Sequence, residues 1–231
     1  MRGRPRGFRV QRTSNRAYRE VDRLYREYGA RGAAIRRRLR EFEDVGRRPE
    51  PDLFEELCFC LLAIQSKARA CDAAVRELAS RGLLLEGTER QIAAFLRRRV
   101  RFHNHKAAYI VRARERFFRK GSPGLGRTLG TLGPPPAARA WLVREVDGLG
   151  LKEASHFLRN IGRGHGLAIL DRHILRNLVR HGVIARVPRS LTPRRYLEIE
   201  GRMRRFADTV GVPLAALDLL FWSRETGEIF K

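Results

Sequence analysis

The chain has 231 residues, 43% of them apolar, enough to fill the core of one large domain or of two small lobes sharing a cleft. Its 49 basic residues against 25 acidic ones leave a net charge of +24, a field that attracts polyanions and makes nucleic acid the favoured partner. No apolar run approaches the roughly 20 residues that cross a bilayer, and no apolar stretch follows the charged start Met1-Arg-Gly-Arg-Pro-Arg, so the sequence excludes a membrane role and points to a cytoplasmic protein.

Residues 1–14 read as a basic tail. Within it Arg2-Gly-Arg-Pro-Arg-Gly7 has the shape of a hook for a narrow minor groove, although an unstructured Arg-rich end is the plainer reading. From residue 15 to 231 the periodicity is helical nearly everywhere and no period-2 run stands out, so the expected class is all-α. Pro51-Asp52 opens an apolar helix to about Gln65, with Asp52 as N-cap. Thr88-Glu-Arg-Gln91 forms a capping box ahead of Ile92 and Phe95. His103 to Lys120 repeats Tyr109, Ile110, Ala113 and Phe117 at helical spacing. Gly121-Ser-Pro-Gly-Leu-Gly126 and Gly133-Pro-Pro-Pro136 break the pattern, and Pro136 starts a helix to Val146. Thr192-Pro193 and Pro213 mark two further helix starts of the cap-then-proline kind.

Cys58, Cys60 and Cys71 are too few for an iron–sulfur cluster, and no Cys/His pair has zinc-site spacing, so neither a metal centre nor a cofactor is expected. Cys58 and Cys60 lie in an apolar run, where cysteine acts as a small hydrophobe. Only five basic residues are lysine (Lys67, Lys106, Lys120, Lys152 and Lys231), so a lysine at a special place carries more information than an arginine.

Lys152 stands at such a place. Two helical segments, spanning about 137–162, flank Asp147-Gly-Leu-Gly150. Gly148 and Gly150 permit positive φ and close backbone approach, and Leu149 plugs the gap between the helices. The second helix then offers unpaired N–H groups, which grip a DNA phosphate without reading sequence; an ordinary helical corner fits the same letters. Lys152 lies in the first turn of that helix, where the macrodipole disfavours a cation and favours the neutral, nucleophilic amine. A phosphate-contacting lysine fits equally well. Asp171 follows the apolar run Leu167–Leu170 and opens the next helix. An N-cap is its ordinary role, and a carboxylate so held also suits stabilising positive charge on a sugar; His173 reads as structural.

These segments resemble the archaeal-type 8-oxoguanine DNA glycosylases/lyases of the helix-hairpin-helix superfamily. The resemblance is carried by Asp147-Gly-Leu-Gly-Leu-Lys-Glu-Ala-Ser-His-Phe-Leu-Arg-Asn160 and Ala168-Ile-Leu-Asp-Arg-His-Ile174. Glu56–Cys60, Arg101–Ala107, Asp218–Trp222 and Thr226–Lys231 follow in family order over about 50–231. It implies two helical subdomains with the active site in the cleft between them. Lys152 would be the Schiff-base nucleophile and Asp171 its carboxylate partner, acting on duplex DNA that contains oxidised guanine, as a monomer without a cofactor. It further implies a base pocket of Trp222 as stacking face, the carboxylate of Lys231, Asp218, and Gln65 as amide donor. Gly148, Leu149 and Gly150 would bind the DNA phosphate. The run Leu61-Leu-Ala-Ile-Gln-Ser66 departs from the small polar residues usual in the family, and the Pro/Gly region 121–136 is longer.

Two alternatives compete: a non-catalytic helix-hairpin-helix DNA binder, and an Arg-rich RNA-binding protein. The first needs neither Lys152 nor Asp171, and the second lacks the aromatic motif of an RNA-recognition sheet. A glycosylase for another base stays open, although a cluster-bearing one lacks the cysteines.

Overall fold

A computed structural model describes residues 15–231; the Arg2–Gly7 hook lies outside them. Among the described residues there are twelve helices and no strand, which is the expected all-α class. α1 (Asn15–Val45) buries Leu24, Ile35 and Phe42, a stripe along one face, while Arg31 and Arg38 reach inward to Ser223 and to the Phe230 carbonyl. α2 (Glu50–Leu62) is buried on every side from Leu57 through Leu62, as a helix central to a core must be.

Around α2 pack α3 (Ala68–Ser80), α4 (Leu83–Glu86), α5 (Glu89–Leu96), α6 (His103–Phe118), α7 (Leu125–Thr131), α8 (Pro135–Glu145) and α9 (Leu151–Asn160), enclosing one core. α10 (Arg172–Arg180), α11 (Pro193–Val210) and α12 (Leu214–Thr226) enclose a second core with α1. The two lobes interlock at both chain ends: α1 also packs on α9, and Phe230 returns from the second lobe into the first core. No single helix is long and apolar enough to cross a membrane among the described residues.

Local signals hold where the sequence supplies both partners. Thr88 Oγ1 accepts from Gln91 N–H (3.2 Å) while Gln91 accepts in return from Thr88 N–H (2.8 Å), completing the capping box. Thr192 caps α11 through Arg195 N–H. Four boundaries differ. Pro49, not Asp52, is the N-cap of α2, because the chain already turns at Pro49, whose carbonyl accepts from Asp52 N–H at 3.0 Å. The same helix ends at Leu62, short of Gln65, which has φ +50°. α8 starts at Pro135 with Pro134 as cap rather than at Pro136, and Pro213 is itself the cap of α12 rather than its first residue. The Pro/Gly region also contains a helix, α7, whose first N–H groups (Leu125 and Gly126) donate to Glu50 on α2 at 2.8 and 2.9 Å. A remote carboxylate supplies the cap that the local letters lack.

Candidate active site

A cleft of about 1180 Å³ runs between the lobes, and Lys152, Asp171, Asp218, Trp222, Lys231 and Gln65 all line it. The hairpin brings the first of these in. Gly148 has φ +87°, and a Cβ there would lie 2.5 Å from the Tyr109 ring, so two independent constraints require glycine. Gly150 differs from expectation: at φ −95° it is extended backbone open to any residue, and a Cβ would only approach Glu153 at 3.2 Å. Leu149 is buried in the first core as the expected plug, while its N–H is taken by Val146 O at 3.2 Å. No side chain caps α9, which leaves the N–H groups of its first turn without a side-chain acceptor.

Lys152 is the second residue of α9, 29% exposed, with Nζ 3.1 Å from Glu153 Oε1. Asp171 caps α10: its Oδ1 accepts from Ile174 N–H at 2.8 Å, which locks the carboxylate at the cleft wall. His173 lines the cleft as well, its Nδ1 buried and without a hydrogen-bond partner.

Asp218 is buried beside Arg159, with Oδ2 3.3 Å from Nη1. Burial pushes its carboxyl up to about 6 against the pull of Arg159, with Asp171 adding repulsion. The folded state thus holds this proton over a window, about pH 4 to 6, in which the unfolded chain has lost it, so the contribution of Asp218 to stability falls as pH rises through that window. Asp218→Asn is expected to gain stability relative to the parent protein between pH 4 and pH 7, measured by urea unfolding at both. A pH-independent difference would contradict this.

Lys231 is neither frayed nor bare. Its Nζ lies 2.8 Å from both Glu56 Oε2 and Asp72 Oδ1. Burial opposes its charge, but the two carboxylates outweigh that and hold the ammonium above the usual lysine range. Asn160 donates to the other oxygen of Glu56 at 2.6 Å, and Arg38 donates to Phe230 O at 3.1 Å. Phe230 is sandwiched by the Arg69 guanidinium, 3.9 Å from its centroid, and by the rings of Trp222 and Phe59. Half-buried Trp222 thereby keeps a braced face toward the cleft.

The lip opposite is strained. Gln65, Arg98 and Phe102 are the positive-φ residues other than glycine among those described, and all lie on the loops 63–67 and 97–102. Lys106 ties these loops: its buried Nζ donates to Leu62 O (2.7 Å), Ile64 O (2.7 Å) and Ser66 Oγ (2.9 Å), and Ser66 Oγ also accepts from Arg101 N–H. Gln65 lines the cleft with an exposed side chain. Sequence reasoning missed the Glu56–Asp72 clamp and the Lys106 brace. The signal for the clamp was a carboxylate pair, Glu55-Glu56, set between the apolar residues Leu53-Phe54 and Leu57–Leu62.

A family model described as 8-oxoguanine DNA glycosylase matches residues 35–212. An 8-oxoguanine DNA glycosylase/AP lyase of Fusobacterium nucleatum is 40% identical over 218 residues, 94% of this chain and 99% of that protein. The crystal structure of the 8-oxoguanine DNA glycosylase of Thermotoga maritima superposes with a TM-score of 0.82 at 32% identity, covering 93% of this chain and all of the other. The Methanocaldococcus jannaschii 8-oxoguanine glycosylase/lyase, solved in complex with DNA containing 8-oxoguanine, gives 0.81 at 32% identity over 92% of this chain and 98% of that one.

Proposed function

From the premise that this chain belongs to the 8-oxoguanine DNA glycosylase family, we propose that it is a bifunctional DNA repair enzyme, excising 8-oxoguanine from duplex DNA and then nicking the strand as an AP lyase. One observation carries the assignment of residues: Lys152 and Asp171, on separate lobes, line one cleft beside an uncapped helix terminus and a braced tryptophan face.

The uncapped first turn of α9 holds a backbone phosphate, and the damaged nucleotide rotates out of the stack into the cleft. Trp222 stacks on the base, worth about 1–3 kcal/mol against the cost of unstacking. The amine of Lys152 attacks C1′ as the C1′–N9 bond breaks, and the base leaves with that electron pair, taking up a proton. Asp171, its carboxylate fixed by Ile174 N–H, stabilises the positive charge that develops on the sugar. The sugar ring opens to an iminium between Lys152 and C1′. That cation acidifies the C2′ proton; its removal expels the 3′ phosphate, and hydrolysis of the iminium frees the enzyme. Lys231, Asp218 and Gln65 contribute to the walls and rim around the base. We place the protein in the cytoplasm, with the chromosomal DNA it repairs.

The test is a duplex carrying 8-oxoguanine opposite each of the four bases, incubated with and without borohydride. Base release with a trapped protein–DNA adduct is expected. Tight binding with neither release nor adduct would favour the non-catalytic DNA binder.

A further inference from the structure

Lys152 and Asp171 sit on different lobes, so their mutual geometry needs a rigid link, and the structure contains one that the reaction itself does not use. Tyr196 and Glu200 stand one turn apart on the same face of α11 and are both 3% exposed. Tyr196 Oη donates to Ala168 O at 2.6 Å and accepts from Leu170 N–H at 3.3 Å, gripping the extended segment that leads into Asp171. Glu200 Oε2 accepts from Ala168 N–H at 2.8 Å. The same carboxylate takes a bidentate pair from Arg139 on α8, at 2.6 and 2.9 Å. Arg139 also donates to Ser155 Oγ (3.1 Å) on α9, three residues beyond Lys152. The chain of bonds therefore runs from both helices of the hairpin, through a buried ion pair, to the backbone three residues before Asp171.

We propose that Arg139, Glu200 and Tyr196 form a tether that holds the Asp171 carboxylate in register with the Lys152 amine, with Tyr196 and Glu200 as positioning residues of the reaction. This rests on the assignment of Asp171 above. Every segment between the tether and Asp171 is short and backbone-bonded, so slack at Ala168 and Leu170 is passed on to the carboxylate. A misplacement of about 1 Å costs up to about 100-fold in rate. Nothing in packing alone demands the arrangement, since a buried ion pair is replaceable by apolar residues of similar volume without loss of stability.

Tyr196→Phe keeps the ring and removes the grip. It is expected to excise 8-oxoguanine about 10-fold or more slowly in single turnovers, with duplex affinity within about 2-fold of the parent, at a temperature where circular dichroism shows it folded. Combined with Asp171→Asn, it is expected to add no further loss, because a positioning residue then has nothing to position. A purely structural defect instead multiplies with Asp171→Asn. Parental rates in Tyr196→Phe, or multiplying losses in the double variant, overturn the tether; parental rates in Asp171→Asn alone overturn the assignment of Asp171 instead. If Asp171→Asn is too slow to rank, Tyr196→Phe combined with Glu200→Gln decides the matter, since two breaks in one tether cost no more than the larger. Glu200→Gln, which keeps an acceptor for Ala168 N–H, takes the place of Tyr196→Phe in the cycle should the latter not fold.

Discussion

Lys152→Gln is expected to abolish the borohydride-trapped adduct and to slow strand nicking on the order of 10⁴-fold or more, about 5 kcal/mol of barrier, while duplex affinity changes only a few-fold. The large effect follows from the proposed role of the lost amine, which is to form the covalent bond. The small effect on binding follows from the proposed seat of the DNA phosphate, the backbone of the uncapped α9 terminus, which glutamine leaves intact. Folding is also preserved, because Lys152 is partly exposed and glutamine can still donate to Glu153, so stability shifts by about 1 kcal/mol or less. Lys106 is the instructive rival. Burial pushes its amine down to about 8, closer to neutrality than an ordinary lysine, yet its Nζ is spent on two carbonyls and Ser66 and is shut away from DNA. Charge state without access does not make a nucleophile. An adduct that persists in Lys152→Gln, measured by gel shift after reduction, would move the nucleophile to another amine lining the cleft, Lys67 being the exposed one.

What is legible in the letters is whatever is decided within a turn or two of helix. Asp171, Thr88 and Thr192 are caps because each bonds an N–H three residues on, a relation visible in sequence. Gly148 is legible for the same reason, since a tight turn between helices needs positive φ. The departures share a different cause. The apolar pattern of α2 continues past Leu62, but the carbonyls of Leu62 and Ile64 are claimed by Lys106, far along the chain, and the helix stops there. Glu50 has the position of a first-turn acid for its own helix and instead caps α7. Gly150 invites a left-handed turn that Gly148 alone supplies. In the site, residues that line the cleft, such as Lys152 and Asp171, are recognisable by type and spacing, whereas those that brace it are not. The Glu56–Asp72 clamp and the Tyr196–Glu200 grip join elements far apart in sequence, and no local period announces a partner of that kind.

That division between lining and bracing bears on Lys231. Lys231→Met is expected to lower stability by about 3 kcal/mol, since it leaves buried Glu56 without a cation, held only by the Asn160 amide, and leaves Asp72 to Arg76 alone. Base release is expected to fall about 10- to 100-fold while duplex affinity changes little, because the proposed phosphate contacts are made by the hairpin and not by Lys231. A loss of stability alone could mimic part of this, and a compensated variant separates the two. Lys231→Met with Glu56→Gln and Asp72→Asn removes the stranded charges and should recover most of the stability in urea unfolding. If Lys231 serves the pocket, excision stays slow in the recovered protein, as read by single-turnover release of 8-oxoguanine. If excision recovers together with stability, the ammonium is only an anchor for the chain around Phe230, and reading of the base does not depend on it. The geometry favours the first outcome. The clamp grips only the ammonium, and it does so at the cleft wall, beside the tryptophan face on which the base would stack.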